Sequence, residues 1–433
     1  MININLLAGI YLILSVILFL YSMKSYRNSL KSYLYAIALN VFPLIYIGYL
    51  GNESTRLFRI PIAYFPLIAS FFSSLVISRS KILRKEKFLF FIYLTLLFYL
   101  FVQSFLIIKI QNYASFLEYY FMWVVNIFLM FTVSYITYHI NYKILLDILK
   151  KLVLLITISS LIGILKYLMR LQYDANFMPM MVRNGTAYII VMVTPILLFL
   201  RDTRVLKSYI FISSVILYFI CLLLIKSRMG LIGFMFAFII YYVYKYKFQL
   251  HKLIPFLLLF IFTFVVMLYS PIGKSSQERL KRTLVSAQLV LSGEGLTPEM
   301  GDYARFQLIL YGIEIIKKNF WFGTGVGLEN YRIKLRELNP IRESKPHNFY
   351  VSYLAEFGMI GFSILMILLL MVWRRFSRIG ISKTLSYAFN TIFITVMFML
   401  FMNEYITYPF TWFIWGIGLG LSYVKTGEIN ETL

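Results

Sequence analysis

The chain holds one cysteine in 433 residues, Cys221, and it lies inside an apolar run, so neither an intramolecular disulfide nor a cysteine-based metal cluster can form. Charge is scarce too: Asp, Glu, Lys and Arg make up 14% of the residues, against 61% hydrophobic and 19% aromatic. With a mean hydropathy of +0.79, this composition excludes an ordinary soluble domain. Among the charged residues aspartate is scarcest, with four in the chain, and no Asp-x-Asp or His-x-x-x-His spacing occurs. Hard cations need several oxygen ligands, so no metal and no cofactor is expected. No internal repeat, low-complexity tract or Gly/Ser linker divides the sequence, which predicts a single membrane domain over 1–433. The first apolar run lacks a basic segment ahead of it and a small-residue cleavage site, and reads as a retained signal anchor.

What the chain does have is apolar runs of about 15 to 25 residues, the length that crosses a hydrocarbon core of roughly 30 Å. They fall at 4–23, 32–50, 60–78, 88–108, 116–138, 152–169, 186–200, 208–225, 229–244, 253–269, 347–373, 384–402 and 410–424. The expected fold is therefore all-α and polytopic, with about 12 to 14 transmembrane helices and one long external loop, 270–346, before the third-last span. Alternate connections carry the basic residues, among them Lys24, Arg27 and Lys31, Arg84 and Lys85, Lys150 and Lys151, Arg201 and Arg204, Lys245 and Lys247, and Arg374 and Arg375. Short basic connections stay cytoplasmic, which puts the N-terminus outside, the C-terminus inside and the long loop outside. The net charge of +24 is concentrated in these collars, where anionic lipid headgroups rather than nucleic acid are the natural partners.

Within the loop, Leu280, Leu284, Ala287 and Leu291 recur at helical intervals and predict an interfacial amphipathic helix over 277–291. Gly293, Gly295, Pro298 and Gly301 then break the chain. Asp302 offers an N-cap to a helix reaching about Lys318, with Arg305 near its start and an apolar stripe through Leu308, Ile309 and Ile316. Gly323-Thr324-Gly325-Val326-Gly327 predicts a tight turn, and a short helix from Leu328 to Leu338 follows, stopped by Asn339-Pro340. The turn follows a helix rather than a strand, so it is no dinucleotide fingerprint, although its amides could still face an anion. His139 and His251 sit among basic residues in the cytoplasmic connections. His347, in Lys345-Pro346-His347-Asn348, stands instead where the loop enters an apolar helix.

His347-Asn348, nine residues, then Gly358-Met359-Ile360-Gly361 resembles the His-Asn-x9-Gly-x-x-Gly signature of the bacterial O-antigen ligase and polymerase superfamily. Ser227-Arg228-Met229-Gly230 is similar to that family's Ser-Arg-x-Gly element. Tyr303-Ala304-Arg305, followed by Asn319 to Gly327, resembles its external loop, in which an arginine-bearing helix leads to an Asn-x-x-x-Gly-x-G turn. The resemblance covers roughly 225–361, while the first two hundred residues agree only in being hydrophobic. It implies a metal-independent glycosyltransferase of the bacterial inner membrane that takes a saccharide from a polyprenyl diphosphate on the outer face.

Such a donor carries concentrated negative charge, which bidentate arginines stabilise better than lysines do. Arg228 and Arg305 are the expected diphosphate ligands, although an interfacial anchor and a solvated helix face are their plainer readings. His347 is the expected base for the acceptor hydroxyl in a single inverting displacement, against a plain helix cap. Asn348 could orient the acceptor or the ring, with Gly325 and Gly327 in support. Glu356 either serves the site or pairs with a basic side chain of the bundle. Polymerisation of O-antigen or capsular repeat units is the first expectation. Transfer of the glycan to a lipid A core or protein is the alternative, and a glycan flippase the second. A glycan or lipid acceptor, membrane lipids and a chain-length regulator protein are the expected partners.

Overall fold

A computed structural model describes residues 4–41, 49–50, 60–61, 87–107, 113–170, 183–247, 303–339 and 344–424, with single positions elsewhere. The 277–291 helix, Asp302, and the spans expected at 60–78 and 253–269 lie wholly or largely outside the described residues. So do the side chains of Arg228 and Arg305.

Among the described residues the fold is all-helical, apart from a two-residue antiparallel pair, Tyr49–Leu50 with Ile60–Pro61. Thirteen α-helices follow one another: α1 (Ile4–Ser22), α2 (Tyr26–Val41), α3 (Lys87–Ile107), α4 (Tyr113–Tyr138), α5 (Tyr142–Leu168), α6 (Arg183–Asp202) and α7 (Ser208–Ile225). Then come α8 (Arg228–Tyr246), α9 (Tyr303–Lys318), α10 (Leu328–Leu338), α11 (Phe349–Phe376), α12 (Lys383–Met399) and α13 (Pro409–Leu421). Seven of them, in α3 to α8 and α11, are long and apolar enough to cross a membrane.

The helix at the centre is α6, whose apolar window is 89% buried, against 33% for α7 and α3. It packs on α8 and α12, while α13 packs on α4 and α11 on α3. Pro195 deprives α6 of one backbone bond, and its neighbour Thr194 donates its hydroxyl to the Ile190 carbonyl at 2.8 Å within the same turn. At its end, half-buried Asp202 accepts from Tyr241 (2.9 Å) and from Lys245 (2.7 Å), which aligns the last turns of α6 and α8.

The contacts sort the helix ends. Lys245, Lys247, Arg201 and Arg204 gather where α6 and α8 finish. The starts of α6, α8 and α11 and the turn after α12 gather at the other end. The 28 residues of α11 span about 42 Å at 1.5 Å per residue, some 12 Å more than the hydrocarbon core. Arg374 and Arg375 close its last turn, so the surplus belongs to its first turns, where a second, smaller core assembles. In that core Leu308 and Ile315 of α9 and Tyr331 and Leu335 of α10 close over Ala355 of α11. The buried stripe of α9 runs through Leu308, Gly312 and Ile315. Ile309 and Ile316, expected on it, are half-buried at its edge.

Candidate functional site

Three short sequence elements meet at the end away from the basic collars, and each is shaped by an identifiable physical demand. The first is Ser227-Arg228-Met229-Gly230. Ser227 is the N-cap of α8, accepting from the Gly230 amide at 3.1 Å and donating to Asn184 Oδ1 of α6 at 3.0 Å. A Cβ on Gly230 would lie 2.5 Å from Ala187 Cβ, so only glycine lets α8 begin this close to α6. Arg228 thereby becomes the first residue of a helix whose start faces the site, where the helix dipole adds positive potential to its charge. Met229 beside it is buried, its sulfur 2.8 Å from Asn403 Nδ2.

The turn containing Asn403 also receives the second element. The Phe349 amide donates to the carbonyls of Leu400 (2.9 Å) and Asn403 (3.1 Å), and Asn348 Nδ2 donates to Phe401 O at 2.9 Å. Asn348 Oδ1 caps α11 by accepting from Val351 N at 3.1 Å. One turn on, Ser352 donates to Glu404 at 2.6 Å. His347 is exposed and sits at φ +51°, a left-handed conformation that few non-glycine residues adopt. The turn after α12 thus joins the starts of α8 and α11, bringing the backbone of Arg228 and the residues around His347 onto one surface.

The third element is the glycine-rich turn, which docks nine residues further along α11, about 13 Å by helical rise. There Gly358, at φ +64° and ψ −179°, breaks the helix. A break orphans backbone groups, and here the turn supplies their partners. Thr324 N donates to Ala355 O (2.9 Å), Gly325 N to Glu356 O (3.1 Å), Met359 N to Phe320 O (2.7 Å) and Ile360 N to Trp321 O (3.3 Å). Two side chains of α3 complete the set: Tyr99 donates to Phe357 O at 2.7 Å, and Gln103 donates to Glu356 O at 2.8 Å and to Phe322 O. A Cβ on Gly323 would meet the backbone of Glu356 and Gly358, and one on Gly358 the backbone of Gly323 and Trp321. One on Gly361 would meet the Tyr99 ring. The Gly-x-x-Gly spacing therefore has two separate causes, a backbone junction and room for Tyr99.

Glu356 is the hub of this junction. It is 1% exposed, its Oε2 accepts from the Gly327 amide at 3.2 Å, and its Oε1 pairs with Lys345, itself 6% exposed. Glu356 thus has a basic partner, and it comes from the loop rather than from the helix bundle. Burial by itself lowers the pKa of the Lys345 ammonium, but the Glu356 carboxylate, with Glu404 beyond it, outweighs burial and holds it above the usual lysine range. Removing one member of such a pair costs about 3–5 kcal/mol, because the other charge is left buried alone.

Arg305 stands at the start of α9, three residues before Leu308 and seven before Gly312, in line with the stripe that packs on α11. Gly312 lets α9 press on Val351 and Pro346, since a Cβ there would lie 2.5 Å from Val351 Cγ1 and 3.6 Å from Pro346 Cγ. The segment leading into His347 thus lies under the arginine-bearing helix. At the opposite end His139 stacks on Tyr26 at 5.3 Å, beside a cavity of about 290 Å³ that His139, Thr137 and Leu421 help to line. Sequence reasoning missed Lys345, Gln103, Tyr99 and Asn403. A lone glutamine inside an apolar run was the available signal for Gln103, since a buried amide in a span seeks a partner. Among the described residues no three His, Cys, Asp or Glu side chains converge.

Residues 213–366 match the family described as O-antigen ligase. The matched stretch takes in all three elements and supports the O-antigen ligase and polymerase superfamily, and with it a ligase- or polymerase-type activity in general, within a multi-pass membrane protein. No curated protein matches the chain.

Proposed function

We infer that the protein is a glycosyltransferase of the bacterial inner membrane that transfers an oligosaccharide from polyprenyl diphosphate to a glycan acceptor, polymerising repeat units of an O-antigen or capsular polysaccharide. The observation that carries this reading is the single turn, Leu400 to Asn403, that binds both Met229, next to Arg228, and Phe349, two residues from His347. A base and a cation at one surface are what the reaction requires. The acceptor hydroxyl attacks the anomeric carbon as the bond to the diphosphate oxygen breaks, with inversion at that carbon. His347 takes the hydroxyl proton, and the departing polyprenyl diphosphate carries the electron pair away as an anion. Arg228, backed by the start of α8, and Arg305 on α9 meet that growing charge, and no metal is needed. Asn348 holds the start of α11, while Gly325 and Gly327 brace the loop against Glu356. The basic collars favour an orientation with His347 on the outer face, the N-terminus outside and the C-terminus in the cytoplasm.

A second reading, favoured by the description of the matched family, has the same site pass the glycan to a lipid A core or a protein. One experiment separates them. Purified protein is incubated with its lipid-linked repeat unit alone, beside His347→Ala, and the products are resolved by size. A ladder that the variant lacks is expected. Transfer only after a second acceptor is added replaces polymerase by ligase, and a ladder undiminished in His347→Ala sinks the assigned base.

A further inference from the structure

We propose that Lys345 is a positioning residue: its buried ion pair with Glu356 clamps the segment ahead of His347 onto the break in α11 and so sets where the imidazole stands. The proposal rests on His347 being the base inferred above. A lysine at the mouth of an external loop would ordinarily extend into water. Lys345 instead is buried, paired with Glu356 and set 4.9 Å over the ring of Tyr119. Its partner is tied in turn to Gly327 through the side chain and to Gly325 and Gln103 through the backbone. Loop, turn and broken helix therefore converge on one carboxylate.

The link from Lys345 to His347 is short and stiff. Only Pro346 lies between them, buried beside Gly312 of α9, with its own φ fixed by the ring, and it restricts Lys345 to extended backbone. On the far side Asn348 is pinned to Phe401 and Val351. His347 is thus held from both directions in a left-handed conformation, and such a conformation persists only where its surroundings over-determine it. Stability alone gives little reason to bury two charges here, since a well-packed apolar pair serves as well or better. What the ion pair adds is direction: a carboxylate with two oxygens and two partners admits one geometry.

The test uses the full chain in detergent with histidine labelled at Cε1. The three histidines give three resonances, and His347→Ala assigns the relevant one. Lys345→Met/Glu356→Gln removes both charges together, so no unpaired charge stays buried, and the amide oxygen of the new glutamine still accepts from the Gly327 amide. It is expected to melt like the wild type, to shift or split the His347 resonance, and to leave His139 and His251 unchanged. Its kcat is expected to fall about 10- to 100-fold, as for a slightly misplaced catalytic group. KM for the lipid-linked donor should stay within about twofold, because binding common to ground and transition states is untouched. Glu356→Asp keeps both charges, shortens the link by one methylene and serves if the double variant does not fold; it should produce a smaller shift of the same resonance. An unmoved His347 signal in either folded variant overturns the clamp, as does a kcat that falls only with the folded fraction. If the wild type transfers no glycan, the functional reading fails, and the resonance alone still decides whether Lys345 positions His347.

Discussion

The chain spells three glycines at alternate positions twice, as Gly323-Thr324-Gly325-Val326-Gly327 in the loop and as Gly416-Ile417-Gly418-Leu419-Gly420 in α13. In the loop all three glycines have positive φ, +73°, +89° and +119°, and the backbone they shape supplies hydrogen bonds to the break in α11. In α13 the three are helical and supply room. Gly416 and Gly420, four residues apart, bring α13 against the backbone of α4, where a Cβ would lie 2.6 Å from Met130 O or against Ser134 O. Gly418 turns the other way, toward the rings of Phe389 and Phe376. One spacing thus meets two demands, conformation in the loop and proximity in the helix, and only the surroundings tell which.

Substitution separates them. The largest effect is expected at Gly323→Ala, where the new methyl meets backbone that cannot give way and the residue must also hold a positive φ. A loss above about 3 kcal/mol and the disappearance of transfer activity should follow, read by thermal melting in detergent and by the product ladder. Gly416→Ala comes next: overpacking against the α4 backbone should cost about 1–3 kcal/mol, with activity per folded molecule unchanged. Equal losses of activity in these two variants would erase the distinction between the two glycine runs. Gly418→Ala should be mildest, about 1 kcal/mol, because its new methyl meets the edges of two side-chain rings rather than backbone. A drop as large as that of Gly416→Ala would show those rings to be locked.

Much of the fold was legible because hydropathy and helix punctuation agree over most of the chain. The α7 helix runs over 208–225 and α10 over 328–338, as the apolar run and the Gly and Asn-Pro stops predict. The apolar run at 152–169 misses the start of α5, whose first ten residues carry Lys143, Asp147, Lys150 and Lys151 and read as a connection. Yet Asn141 caps them and Asp147 pairs with Lys151 at 2.7 Å, one turn apart. Polar turns of a helix at a membrane surface resemble a loop when only hydropathy is weighed, and α2 begins early for the same reason. At the site, the spacing of His347, Asn348, Gly358 and Gly361 was visible without its cause. Lys345 was not visible as a buried residue, because its partner lies eleven positions away across two changes of backbone conformation, a distance that no periodicity marks.

The break at Gly358 also bears on how this protein could be cut and recombined. The amides of Met359 and Ile360 and the carbonyls of Ala355 and Glu356 are completed by peptide groups some 35 residues earlier in the chain. Residues 320–325 therefore work as a splint set into α11 and are not a free-standing appendage. A chimera that exchanged the loop alone would leave a fractured helix with bare ends, whereas one that moved 319–327 together with 355–361 would carry the fracture and its splint as a unit. For grafting, the smallest transferable module of this site is discontinuous in sequence, and its boundary runs through the middle of a helix.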